Sequence, residues 1–210
     1  MLRDLLAGWN DFRSRTWLLF ANLVAAVGNA LVIAPFLVIG PAVAKTALRG
    51  AGAWGLIAAA FGAGSIAGGV VALRYRPRRP MLVGLSLTCL HAGPLALLAL
   101  EASAPVIAVA AFVAGSQLTL LNTLWETTLQ ELVPAHLLSR VVAYDWLTAS
   151  VFAPFGYAVA GILAGPLLGV DATLWLAAAV ALALAAAVPL IRDVRELELP
   201  RSGQSPGPRT

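Results

Sequence analysis

The side chains that could do chemistry in this chain fall on a few helical faces. Asn22 and Asn29 lie two helical turns apart and share a face. Ser116, Thr119, Thr123 and Glu126 follow one another at helical steps, flanked by Gln117 and Asn122. Polar side chains in apolar surroundings turn toward a bundle interior or a watery cavity. Asn22, Asn29, Gln117, Thr119, Asn122 and Thr123 are therefore the candidates for a cavity that meets a small-molecule substrate. Hydrogen bonding between helices is the competing explanation of the same residues.

A second group is charged. Glu126, Glu131 and Asp145 are expected at the same ends of two helices, near Arg74, Arg76, Arg78 and Arg79, with Arg140 counted in the same group. Exposed pairs of this kind contribute about 0–1 kcal/mol, and partly desolvated Arg–carboxylate pairs more. Such a cluster could latch one side of a bundle and open as a gate; charges simply obeying membrane topology are the alternative for the arginines. His91 falls in the middle of an apolar run, where its neutral form could satisfy itself on a backbone carbonyl or, as the less favoured reading, relay protons. Cys89, the single cysteine, reads as a small apolar packer.

Catalysis finds little support. In GAGSIAG, Ser65 is followed by Ile66, which breaks the Gly-x-Ser-Gly pattern of an intramembrane serine protease. His91 and His136 have no metal-ligand spacing with each other or with acids, and no glycine loop with lysine cradles a phosphate. The expectation is no enzyme, no metal and no cofactor, with energy drawn from an ion gradient or a partner.

The elements that must position these residues are membrane helices. Hydrophobic residues make up 60% of the 210 and charged ones 11%, far from the balance of a water-soluble domain. A span needs about 20 apolar residues, and six runs qualify: 16–40, 51–73, 81–100, 104–125, 146–170 and 172–191. The fold expected is all-α, a six-helix transmembrane domain over 16–191. It is preceded by an amphipathic segment at 1–15, in which Leu2, Leu5, Leu6, Trp9 and Phe12 share a stripe, and followed by a disordered cytoplasmic tail at 192–210. Leu120 to Gly169 reads as the organising hairpin, with a short amphipathic connector holding Glu131, Pro134 and Arg140. Its second helix is interrupted by Pro154, Gly156, Gly161, Gly165 and Pro166. Ala60, Gly64 and Gly68 form one small-residue ladder and Gly161, Gly165 and Gly169 another, for close packing or for a hinge. Trp9, Trp17, Trp54, Trp125 and Trp146 read as interfacial anchors.

With six spans, both termini and the second and fourth connectors share a side that carries twelve of the fourteen basic residues; only Lys45 and Arg49 lie opposite. That side is cytoplasmic by the positive-inside rule. The pI near 10.0 thus reports topology, and no basic run interleaved with aromatics suggests nucleic acid.

The six-helix pattern and the segment LWETTLQELVPAHLLSRVVAYDWLTASVFAPFGYAVAG resemble the C-terminal half of a major facilitator superfamily transporter, closest to the bacterial enterobactin-exporter and drug-efflux branch. The likeness spans about residues 1–195. GGVVALRYRPRRP echoes the superfamily loop signature at Gly69, Arg74, Arg78 and Arg79, with Leu73 where an aspartate is expected and the second glycine missing. GILAGPLLG matches the core of the antiporter signature, which the family normally carries in its first half. Ser139 stands where a glycine would precede Arg140.

The resemblance implies one half of a three-plus-three inverted-repeat bundle in a bacterial inner membrane. It implies secondary-active, proton-coupled export of small, fairly apolar molecules such as drugs or siderophores. A missing N-terminal half or a second copy would be required as partner, the second copy through a self-complementary surface. The alternative is a truncated or repurposed six-helix membrane protein with a structural or partner-binding role.

Overall fold

Some prolines of this chain distort or stop a helix, while Pro41 and Pro154 lie inside regular helix, so the break expected at Pro154 and Gly156 does not occur. A computed structural model describes residues 16–48 and 50–197, apart from the side chains at 16, 17, 136, 140, 144, 145 and 148–151. The expected amphipathic segment 1–15 and residues 198–210 lie outside that range. Every regular element among the described residues is helical. Helix α1 comprises Thr16–Gly28, a π-helical turn at Asn29–Ile33 and Ala34–Thr46; α2 is Ala51–Arg74. Helix α3 comprises Pro80–Ser86, a 3-10 stretch at Leu87–His91 and Ala92–Ala99; α4 is Ala104–Leu132. Helix α5 is Ala135–Ile162 continued by a π-helical Leu163–Leu167, and α6 is Val170–Ala187 closed by a 3-10 turn at Val188–Leu190. A last helical turn, α7, is Arg192–Arg195.

Each π-helical turn has a proline at hand. A proline ring clashes with the carbonyl four residues back and offers no N–H to it. The widened turn before Pro35 removes that conflict, and the Ala34 N–H donates five residues back to Asn29. The turn containing Pro166 does the same, with the Leu168 N–H donating to Leu163. The 3-10 stretch of α3 lies just ahead of Pro94.

Five helices are long and apolar enough to cross a membrane: Leu18–Thr46, Ala51–Arg74, Pro80–Ala99, Ala104–Leu132 and Val170–Leu190. In α5 the described apolar stretch, Phe152–Leu167, is shorter. Large apolar side chains such as Ile66, Leu73, Val109, Phe155 and Leu190 stand exposed. That much outward apolar surface exceeds what a monomer in water normally shows, and the architecture is compatible with a multi-pass membrane protein. Inside, Val32, Phe36, Ile57, Leu95, Leu98, Ile107 and Leu174 join α1, α2, α3, α4 and α6 in one core. A second cluster, with Ala21, Met81, Leu85, Leu124 and Val188, binds α1, α3 and α4 to the end of α6.

Several boundaries differ from expectation, and α1 runs on to Thr46 rather than ending at 40. Helix α4 runs past Trp125 to Leu132, so Glu131 is helical, and α5 already begins at Ala135, so Arg140 is helical too. The connector shrinks to Val133 and Pro134, because a residue before proline is driven out of the helical region; Val133 sits at φ −98°, ψ 127°. Beyond α6 the expected tail starts with structure. Val194 on α7 is buried in the second cluster, and Arg192 Nε donates to Glu196 Oε1 at 2.9 Å on the exposed side. Residues 198–210 of that expectation are outside the described range.

The closest helix contact joins α2 to α4. A methyl group on Gly64 would meet the Phe112 carbonyl, one on Gly68 the Ser116 carbonyl, and one on Gly115 the Phe61 carbonyl. Ser65 Oγ donates to the Phe61 carbonyl at 3.1 Å and reaches the Gly115 carbonyl at 3.4 Å. Small residues let the two backbones touch, which is how helices gain dispersion energy when lipid removes any hydrophobic reward for association. Trp54, expected as an anchor, covers Gly40 and tilts against Phe36 with ring centroids 5.3 Å apart.

The turn between α3 and α4 holds a non-glycine residue with positive φ, Glu101 at 50°. The Glu101 N–H donates to Leu98 and the Ala102 N–H to Leu97, a helix stop that glycine fits best. Glu101→Gly is expected to stabilise the fold by about 0.5–1 kcal/mol, measured as a raised midpoint of thermal unfolding in detergent.

Candidate functional site: a groove between α1, α4 and α5

Helix α5 leans on the π-helical turn of α1, where a methyl on Gly156 would press against Ala30 Cα at 2.7 Å. This contact, together with the α2–α4 seam on the far side, leaves a groove along α1 and α4. One part of it, about 140 Å³, is lined by Asn22, Asn29, Leu121, Asn122, Trp125 and Phe152. A larger part, about 410 Å³, continues past Asn29, Asn122 and Trp125 to Glu126, Gln130 and Trp146. A small recess of about 60 Å³ reaches inward to Thr88, His91 and Gln117. Asn29 and Asn122 border all three.

Of the six residues expected to line a cavity, four do so. Asn29 and Asn122 are exposed to the groove, while Asn22 is mostly buried and donates to the Leu18 carbonyl at 3.2 Å. Gln117 is buried at the recess, with Nε2 donating to the Gly84 carbonyl at 2.9 Å. Thr119 and Thr123 do not belong to it. Thr119 Cγ2 faces Gly69 of α2, and Thr123 Oγ1 donates to the Thr119 carbonyl at 2.9 Å. The regular stripe they form with Ser116 lies toward α2, where each hydroxyl can satisfy itself on the carbonyl one turn back and needs no cavity. Glu126, the last member of that stripe, is exposed at the groove's wide end.

Arg74 ends α2, Arg78 and Arg79 stand in the turn before α3, and Glu131 is near the end of α4; all four are exposed, save that Arg79 also makes an interaction of its own. Among the described residues no ion pair joins Arg74 or Arg78 to Glu126 or Glu131. The side chains of Arg140 and Asp145 lie outside the described set. A methyl group on Gly161 or Gly165 would meet no atom within 4 Å, and Pro154 and Pro166 are exposed, so this second ladder points away from the bundle.

Trp125 and Trp146, expected as interfacial anchors, also line the groove, and Phe152 joins them. The signal for Trp125 was in the sequence: Leu118, Asn122, Trp125 and Leu129 recur at helical steps on the face of Asn122. Chemically the groove offers amide donors and acceptors, indole and phenyl surface, and one carboxylate at its mouth. It suits a mostly apolar molecule with a few hydrogen-bonding groups. Among the described residues no group of His, Cys, Asp and Glu could hold a metal ion. Comparison with protein-family models, with curated proteins and with solved structures finds no match for this chain.

Proposed function

We propose that this chain is one half of a secondary-active, proton-coupled exporter of small, fairly apolar molecules in a bacterial inner membrane. The observation that carries the reading is the convergence of Asn22, Asn29 and Asn122 with Trp125 and Phe152 on one groove between α1 and α4. Polar side chains on otherwise apolar helices normally turn toward an interior or a watery cavity, and these three border the same groove. The sequence resemblance to the C-terminal half of major facilitator exporters supports the same direction. On this reading the groove is half of a substrate path, and a second six-helix unit, covalent or separate, closes it. The outward Gly161–Gly165 face of α5 offers a surface for such a unit, since small residues allow close approach.

The first test is the size of the native product. A C-terminal tag at the chromosomal locus, read on a denaturing gel of the membrane fraction, separates a band near 21.7 kDa from one of about twice that mass. The form found is then reconstituted in vesicles with an imposed proton gradient and tested for movement of lipophilic dyes. Gradient-dependent movement is the expected result. Its absence from both the native form and its cross-linked partner complex overturns the transport reading in favour of a structural role.

A further inference from the structure

Among the described residues, three deeply buried polar atoms make no well-formed hydrogen bond: Oε1 of Gln117 and both ring nitrogens of His91, one of which faces the Thr88 backbone. Each residue is 3% exposed. Such atoms in folded proteins are nearly always paired with protein or with water. Both side chains border the same recess of about 60 Å³, whose wall also carries Thr88, Asn29 and Asn122. Most of the wall is apolar, and His91, Gln117, Thr88, Asn29 and Asn122 are its polar partners; a site with such partners holds a water molecule once it exceeds about 10–15 Å³, so the volume suffices. Gln117 is fixed in orientation, because its Nε2 is committed to the Gly84 carbonyl and only Oε1 is left as an acceptor. Asn29 and Asn122 also line the wide part of the groove, so hydrogen-bonding groups continue from the recess to Glu126.

The charged groups on the helices packed around His91 stand elsewhere. Lys45 lies in the last turn of α1, Glu126 and Glu131 on the last turns of α4, and Asp171 in the first turn of α6; none lines the recess. On α3 itself, Cys89 is the titratable neighbour. No ion pair therefore accounts for an imidazole at this depth.

We propose that His91 is a proton-exchanging site, linked to the groove by a short chain of water molecules held by Gln117, Asn29 and Asn122. The imine nitrogen of the neutral ring accepts a proton handed along the chain, and the new N–H bond breaks back to water to release it. The net change is one proton moved between the ring and the water in the groove. In the exporter reading this site would supply this half with a coupling proton; the water-linked imidazole itself does not depend on that reading.

The test uses the full chain in lipid nanodiscs, labelled with ¹⁵N at histidine. The sequence has two histidines, so His136→Gln leaves the His91 signal alone. Expected are magnetisation transfer from water to the His91 ring and nitrogen shifts that move between neutral and protonated forms across about pH 3 to 10. Asn122→Leu is expected to slow the water exchange about tenfold or more, leaving local opening as the remaining route. A ring without water transfer, or with shifts that do not move, overturns the proposal. Unchanged exchange in Asn122→Leu overturns the route; if that variant fails to fold, the His136→Gln spectra decide alone. A titrating, water-contacting His91 in a chain that moves no dye rejects the exporter reading and leaves this site standing.

Discussion

Valine at Gly64 or Gly68 is expected to destabilise the bundle by about 1–3 kcal/mol at each position, while valine at Gly161 or Gly165 changes stability by no more than about 0.5 kcal/mol. All four glycines sit in ladders of the same spacing on apolar helices, yet their surroundings differ. At Gly64 and Gly68 the obstacle is the backbone carbonyl of Phe112 or Ser116, which cannot swing aside as the end of a flexible side chain would. Relief requires α2 to move away from α4 along the seam, which also breaks the Ser65 contact to Gly115. At Gly161 and Gly165 no atom stands within 4 Å, and a branched side chain enters open space. Unfolding midpoints in detergent, by heat or by titration with a denaturing surfactant, give the comparison. Equal effects at the two ladders would mean that the α2–α4 seam is not what holds these helices together. If Gly161→Val leaves stability alone but abolishes co-purification of a second unit, the α5 face is where that unit binds.

Much of this organisation was legible in the residues. Charge-free runs marked five of the long apolar helices, because a chain that places its backbone in lipid must fold into helices and can carry few charges within them. The Asn22–Asn29 spacing identified the groove face of α1, since two turns of helix return a side chain to the same side. The polar stripe of α4 misled for a physical reason. Threonine and serine hydroxyls can bond the preceding turn, so Thr119 and Thr123 sit comfortably toward α2, and spacing alone does not distinguish that from a cavity wall. The π-helical turn at Asn29–Ile33 was hidden as well. Pro35 signals a conflict with the preceding turn, but whether the chain answers with a kink, a 3-10 stretch or a widened turn depends on what packs there, and here Gly156 of α5 fills the place beside Ala30. Helix ends were misjudged where polarity was taken as a stop: Glu131 lies within α4, and only Pro134 ends the helix.

If the chain moves small molecules as proposed, the pair Asn29→Leu and Asn122→Leu is expected to lower that movement by roughly 10- to 100-fold when combined, with the fold intact. Each amide reaches into the groove from an exposed position, so leucine leaves no cavity and buries no unsatisfied atom, and its effect on stability stays within about 0.5 kcal/mol. What leucine removes is a hydrogen-bonding partner at the place where all three parts of the groove meet. A substrate group left unpaired in an apolar passage loses about 1–3 kcal/mol, which is a factor of roughly 5 to 150 in affinity. Thr119→Val with Thr123→Val is the matched control: it makes α4 more apolar by two residues at the same depth, but on the face toward α2. Dye movement in reconstituted vesicles should survive the threonine pair and fail with the asparagine pair. The reverse order would place the substrate path between α2 and α4, where the glycine contacts leave no room for one, and so would reject the groove as the path. Loss with both pairs at unchanged unfolding midpoints would instead show that transport responds to the overall polarity of α4, and the assignment of Asn29 and Asn122 as substrate contacts would fall.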